Sequence, residues 1–206
     1  MVSILEHIAI RYPRFLCCGM TKIMDCPKTL YLSFDDGPNI SVTEKVLSML
    51  NKYNAKASFF CIGNNAALYP EIFEKIKLEG HTIGNHSYSH INAFKVSGKK
   101  WMKDVYKKSS VRDAFFFRPP YGRIYPWQCR RLKRTYKIVL WDVMTYDYRE
   151  DFSVEDVKRI INKKVRGGSI IVFHDTMLAA SRMLPALEYT LRHFSLLGYR
   201  FEKIQL

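Results

Sequence analysis

Short apolar runs alternate with amphipathic stretches along most of the chain. Residues 30–34, 57–62, 115–117, 138–141, 170–173 and 199–204 are compact apolar segments bounded by turn formers, and they read as strands. A shorter strand is expected over 82–84. Between these runs the apolar positions recur at helical spacing. Val46, Met49, Leu50 and Tyr53 share one face behind Ser41 and Glu44, which have the spacing of a capping box. Pro70 suits a first helical position, with Ile72, Phe73 and Ile76 as the buried stripe and Gly80 as the stop. Ser153 caps a helix that runs to about Arg166, before Gly167 and Gly168. The last helix carries Met183, Leu184, Leu187, Leu191 and Phe194 and ends at Gly198.

Strand and helix in turn, repeated about six times, predict an α/β fold with a parallel barrel or open sheet. The first 27 residues stand outside that rhythm. Ile4, Leu5, Ile8 and Tyr12 form a modest helical stripe, expected to pack on the domain formed by residues 28–206, with membrane-surface binding as the rival reading.

Composition narrows the class. At 206 residues and 48% hydrophobic the chain can fill one core, and no apolar run approaches the roughly 20 residues needed to cross a bilayer. Residues 1–10 lack an initial basic region and are broken by Glu6 and His7, which makes a poor signal peptide. The five cysteines, at 17, 18, 26, 61 and 129, are an odd number without CxxC spacing and read as reduced thiols. Both features favour a cytoplasmic protein, with the inner membrane surface as a possible site of action. The net charge of +14 concentrates at 99–108, 130–134 and 158–166, each on an expected helix. Solvated outer faces explain this, as does attraction to an acidic glycan, a lipid-linked sugar or an anionic membrane surface. No nucleic-acid-binding motif accompanies the charge.

Four polar clusters directly follow expected strands, and the C-terminal strand ends of parallel barrels gather at one face. They are Ser33-Phe34-Asp35-Asp36-Gly37-Pro38, His86-Ser87-Tyr88-Ser89-His90, Arg118-Pro119-Pro120-Tyr121 and His174-Asp175. Two histidines four apart with a distant carboxylate form a ligand set that leaves positions open for water and substrate. Neighbouring aspartates on an extended strand point in opposite directions, so one can ligate while the other acts as a base. Alone, each cluster also has a plain reading, as surface histidines or a turn.

In this order the motifs resemble those of the NodB-type polysaccharide deacetylases, carbohydrate esterase family four, from about Lys28 to the C-terminus. The resemblance implies a distorted (β/α) barrel of about seven parallel strands. It also implies a metal-dependent hydrolase that removes N-acetyl groups from N-acetylglucosamine-type glycans or their precursors by metal-activated water. Carried over, Asp36, His86 and His90 are the metal ligands and Asp35 is the general base, oriented by Arg118. Tyr121 offers its backbone N–H to the oxyanion, and His174 is the general acid. The metal expected is zinc, with cobalt, nickel or iron as alternatives. Pro120, Trp141 and Tyr148 are candidate substrate contacts, and Trp127 is a further aromatic able to stack on a sugar ring. One departure stands out: Met144 takes the place where the family commonly has an aspartate bonded to the catalytic histidine, with Asp142 as a candidate substitute. That departure keeps a glycan-binding pseudoenzyme open as a rival, and a second is an amidase acting on a non-sugar amide, since the fold tolerates other amides.

Overall fold

The structure is a computed structural model and describes residues 19–24 and 26–205. Among the described residues there are eight strands: β1 (Thr29–Asp35), β2 (Ala57–Cys61), β3 (Thr82–Asn85), β4 (Phe116–Phe117), β5 (Lys137–Ile138), β6 (Val143–Met144), β7 (Ile170–His174) and β8 (Arg200–Phe201). The path runs β5-β4-β3-β2-β1-β7-β6, every ladder is parallel, and β8 pairs with the start of β1. The helices are α1 (Thr43–Lys52), α2 (Gly63–Leu68), α3 (Pro70–Leu78), α4 (Gly98–Val105), α5 (Pro126–Leu132), α6 (Val154–Lys164) and α7 (Met177–Leu196).

Period-two alternation decides what faces where. On β1, Leu30, Leu32 and Phe34 join the core under the helices, with Val46 and Leu50 of α1 and Met183 and Leu187 of α7. Burying each such side chain contributes roughly 1.5–3 kcal/mol. Tyr31, Ser33 and Asp35 alternate with them, and Tyr31 belongs to the second core cluster. β7 repeats the pattern: Ile171 and Phe173 pack in the first cluster, while Ile170 and Val172 pack in the second. His174 continues that second face, one step beyond Val172. Asp35 and His174 are register partners on adjacent strands, so the topology alone sets them side by side.

Of the strand expected over 138–141 only Ile138 lies in a strand, at the end of β5, and the next strand, β6, starts beyond that run at Val143. β5 lies at one edge of the sheet and β6 at the other, and residues 139–142 cross the gap between them. Val139 N–H bonds Phe117 and Asp142 N–H bonds Ile170, so the crossing chain is tied to both edges. Residues 19–23 fill the same gap, with Met20 bridging Val139 and Lys22 bridging Ser169. The helical stripe expected over Ile4 to Tyr12 lies outside the described residues.

Two further expectations are corrected. Ser41 does not cap α1: the helix begins at Thr43 without a side-chain cap, and Asn39 organises the turn by accepting the Ser41 N–H on its side chain. The Thr43 hydroxyl meanwhile accepts the Asn39 N–H. The reading of all five cysteines as reduced thiols also fails. Cys26 and Cys61 are free, but Cys129 is disulfide-bonded. The argument from cysteine chemistry to a reducing compartment goes with it. Other ends agree: Pro70 starts α3, and Ser153 and Asp156 form a reciprocal capping box on α6. No helix among the described residues is long and apolar enough to cross a membrane.

Candidate active site

A cavity of about 380 Å³ opens at the C-terminal ends of the strands, lined by Asp35, Asp36, His86, His90, Pro119, Tyr121, Gly122, Trp141, Met144, Tyr148, His174 and Leu178. All four clusters meet there.

Arg118, fully buried, organises one wall. Its Nη1 donates to Asp35 Oδ1 at 2.6 Å and to Ser33 Oγ at 3.0 Å. Nε and Nη2 donate to the carbonyls of Val139 and Leu140, in the segment that crosses the barrel gap. The guanidinium also lies 3.9 Å above the Phe60 ring. A buried cation is tolerable only when its donors are used and its charge is matched, and both conditions hold. Asp35 is therefore fixed by the barrel's own closure.

Asp36 departs from the expected geometry. The strand ends at Asp35, and Asp36 takes a left-handed φ of 77°, so its carboxylate turns into the same cavity instead of pointing away. Asn65 of α2 donates to the Asp36 carbonyl at 2.8 Å, holding this turn. A Cβ on Gly37 would overlap the buried Asp175 carboxylate, which accepts the Thr43 hydroxyl. Only glycine fits against that support.

The two histidines sit on a loop with left-handed φ at Ser87 and His90. Asp104 of α4 accepts the N–H groups of Tyr88 and Ser89, and Ser87 Oγ accepts that of His90. His86 Nδ1 lies 2.8 Å from the Arg118 carbonyl, which can only accept, so Nδ1 carries the proton and Nε2 is bare. Nε2 of His86 and of His90 stand 3.5 and 3.1 Å from Asp36 Oδ1. Yet Oδ1 is buried with no hydrogen-bond partner. Burial pulls the His90 ring down to about 4, so it stays neutral. Burial would raise the Asp36 carboxyl, but the adjacent His86 ring, with His90 and His174 beside it, holds it well below the usual carboxylate range. Three ligand atoms within 4.8 Å, unprotonated and facing one another, fit a divalent cation.

On the opposite wall His174 is paired with Asp147, not with a residue at position 144. Asp147 Oδ1 lies 2.7 Å from Nδ1, and Oδ2 accepts the His174 backbone N–H at 2.8 Å. Burial alone would lower the imidazole; the Asp147 charge, with those of Asp36 and Asp35, overcomes it and raises the group to about 9. Asp142 is not a substitute, since its carboxylate accepts the Ser169 hydroxyl instead. Met144 lines the cavity. Sequence reasoning looked to positions 144 and 142 and missed Asp147. The left-handed Tyr146 turns the chain back and the Arg182 guanidinium grips the Asp147 carbonyl, so no count along the chain finds the contact.

Among the expected substrate contacts, Trp141 and Tyr148 line the cavity, Tyr148 edge-on to His174 with ring centroids 4.8 Å apart. Pro120 does not. The chain turns tightly at Pro120–Gly122, and Pro119, before the turn, faces the cavity. Tyr121, at φ 60°, packs against His90, and its N–H has no backbone acceptor.

Comparison with known proteins agrees with this architecture. Residues 22–137 match the family model described as polysaccharide deacetylase. A peptidoglycan-N-acetylglucosamine deacetylase of Bacillus cereus is 36% identical over 152 residues, covering 70% of this chain and 55% of the relative. A chitooligosaccharide deacetylase of Azorhizobium caulinodans is 34% identical over 167 residues, covering 75% and 77%. The chain thus spans about half the length of the first relative and most of the second. A crystal structure of a peptidoglycan N-acetylglucosamine deacetylase, in complex with 4-naphthalen-1-yl-N-oxidanyl-benzamide, superposes with a TM-score of 0.82 at 31% identity, covering 90% of each chain. The chain belongs to the NodB-type polysaccharide deacetylases, carbohydrate esterase family four.

Proposed function

We propose that the chain removes N-acetyl groups from an N-acetylglucosamine-type glycan, a peptidoglycan strand or a chitin-like oligomer, by metal-assisted hydrolysis. The relatives named for those substrates support the class, and the cavity supports the chemistry. Asp36, His86 and His90 would hold the ion. A zinc ion there supplies a Lewis acid for the acetyl carbonyl and makes water a nucleophile near neutral pH. Zinc is preferred because one carboxylate and two imidazoles suit it, although cobalt, nickel and iron share the donor set.

The protein's own groups divide the remaining work. Asp35, held by Arg118 at 2.6 Å, takes a proton from the attacking water. The free Tyr121 N–H donates to the carbonyl oxygen as negative charge develops on it, in a pocket where fixed dipoles count most. His174, charged through Asp147, gives its Nε2 proton to the departing amine nitrogen, without which the C–N bond does not break readily. Trp141, Met144, Tyr148 and Leu178 form the apolar side of the same cavity and shield these charges from water.

The observation that carries this reading is the His174–Asp147 pair. The pseudoenzyme alternative rested on a missing carboxylate, and the carboxylate is there. Acetate release from chitotetraose and from purified peptidoglycan strands tests the proposal, using chelated protein and protein reloaded with zinc. Zinc-dependent acetate from either substrate is expected. Its absence from both, with zinc bound, would refute the assignment.

A further inference from the structure

The three basic stretches are not equivalent. On and just after α6, Lys158 and Arg159 are paired with Glu155 and Asp156 and Arg166 donates to backbone carbonyls, which leaves only Lys163 and Lys164 of that stretch without an ion pair among the described residues. On α4 and α5 the situation differs. Lys99, Lys103, Arg130, Arg131 and Arg134 form no ion pair among the described residues, and all five are exposed. They line two adjoining depressions of about 240 and 430 Å³, and no carboxylate lines either one. Trp127 and Arg131 are common to both. Trp127 is 50% exposed, although its ring packs against Gly98 so tightly that a Cβ there would lie 2.4 Å from it. Leaving five like charges unpaired around an open indole costs stability, unless something anionic is bound there.

This patch is connected to the cavity. Residues 90–98 and 121–127 run beside each other, and their contacts step outward: His90 against Tyr121, Phe94 against Tyr125, Gly98 against Trp127. Tyr121, Tyr125 and Trp127 are each exposed, so a strip of aromatic faces leads from the metal-ligand loop to the five cations.

We infer that the α4–α5 face is an accessory binding surface for an acidic glycan strand, with sugar rings on the aromatic strip and carboxylate or phosphate groups in the basic depressions. The inference rests on the deacetylase reading and deepens it by naming an anionic polymer as the substrate class. A lipid surface fits less well. Trp127 is the sole large apolar side chain exposed on these two helices, whereas a membrane-binding helix buries a broad apolar face. An exposed indole flanked by concave, basic hollows instead suits a chain of rings carrying charges.

Hyaluronan, in which N-acetylglucosamine alternates with a carboxylate sugar, serves as the probe. Its fluorescein-labelled form is titrated with the zinc-loaded protein by anisotropy at increasing sodium chloride, beside vesicles of phosphatidylcholine and phosphatidylglycerol. Wild type should bind hyaluronan and weaken steadily with salt. An R130E/R131E/R134E variant should lose at least about tenfold in affinity at low salt. A Trp127→Ala variant should lose roughly fivefold at every salt concentration. Acetate release from chitotriose, which carries no anionic group for the basic depressions, should be unchanged in the triple variant. No hyaluronan binding by wild type overturns the inference, as does wild-type affinity in the triple variant. Loss of vesicle binding alone in that variant overturns it in favour of a lipid surface. Failure of wild type to release acetate from chitotriose would count against the deacetylase reading, while the hyaluronan titration still decides the surface.

Discussion

The two flanks of the cavity are built in different ways. Asp35 and His174 stand on register-paired strands, β1 and β7, with extended backbone and a place in the sheet's alternation. The metal-ligand flank is built from strained turns. Among the described residues six non-glycine residues have left-handed φ: Asp36, Ser87, His90 and Tyr121 lie on this flank, Tyr146 turns the loop that brings Asp147 to His174, and Asn54 lies elsewhere. Such conformations cost of order 1–3 kcal/mol each and persist where surrounding contacts over-determine them. Here those contacts are visible, in Asn65 on the Asp36 carbonyl, Asp104 on the histidine loop and Arg182 on the Asp147 carbonyl. Strands supply position cheaply but only in two directions. Left-handed turns let a third direction converge on one point.

The widest separation between the flanks is expected from two adjacent aspartates. Asp36→Ala removes the atom shared by both imidazoles, so zinc retention and turnover should both fall to background. Zinc analysis after gel filtration, paired with acetate release, measures this; stoichiometric zinc in the variant would break the ligand assignment. Asp35→Asn should instead keep zinc and lose roughly 10²–10⁴-fold in kcat. Near-normal turnover in that variant would remove Asp35 from the base role. If both variants lost metal equally, the division of labour between strand and turn would be wrong.

Legibility in the sequence follows the same division. The alternation of Leu30, Leu32 and Phe34 against Ser33 and Asp35 is visible in the letters, and so is the run that delivers His174. Asp36 was expected to point away from Asp35, because a period of two says nothing about where a strand stops. The error at Met144 has a similar origin. Loop residues 145–149 reverse at Tyr146, and a linear match to a motif cannot see which carboxylate the reversal returns to the imidazole. The strand expected over 138–141 failed because an apolar run does not reveal that the chain leaves one edge of the sheet after Ile138 and joins the other edge only at Val143. Ser41 had the right spacing for a cap, but a buried demand from Asp175 on Thr43 shifted the helix start.

A smaller effect is expected on the strand flank from Asp147→Asn. As an acid, His174 must carry its proton, so kcat/KM should fall as pH rises through about 9. The variant removes the charge that raises the imidazole and leaves burial, which lowers it. The alkaline limb should therefore move down to or below the ordinary value of 6.5, with activity at neutral pH reduced roughly tenfold to a hundredfold. The linkage has the same sign for stability. A raised imidazole stabilises the fold fully below its unfolded value and ceases to do so above about 9, a dependence the variant should lose. An unmoved alkaline limb would show that another group sets it.

The smallest effect tests the turn flank itself, through Ser87→Gly. Glycine relieves the left-handed penalty at φ 63°, worth about 1–2 kcal/mol. It also deletes the hydroxyl that accepts the His90 N–H at 3.0 Å, worth about 0.5–1.5 kcal/mol. These nearly cancel, so the thermal midpoint of the metal-free protein should barely move. Metal binding should not be spared in the same way. With the hydroxyl gone and a freer backbone at position 87, His90 is no longer held toward Asp36 before the ion arrives, and its ordering must be met on binding. A zinc competition titration should show affinity weakened several-fold against an unchanged melting curve. If affinity and melting moved together, or neither moved, the left-handed loop would be scaffolding alone, and the ligand geometry would be set from the Asp36 side.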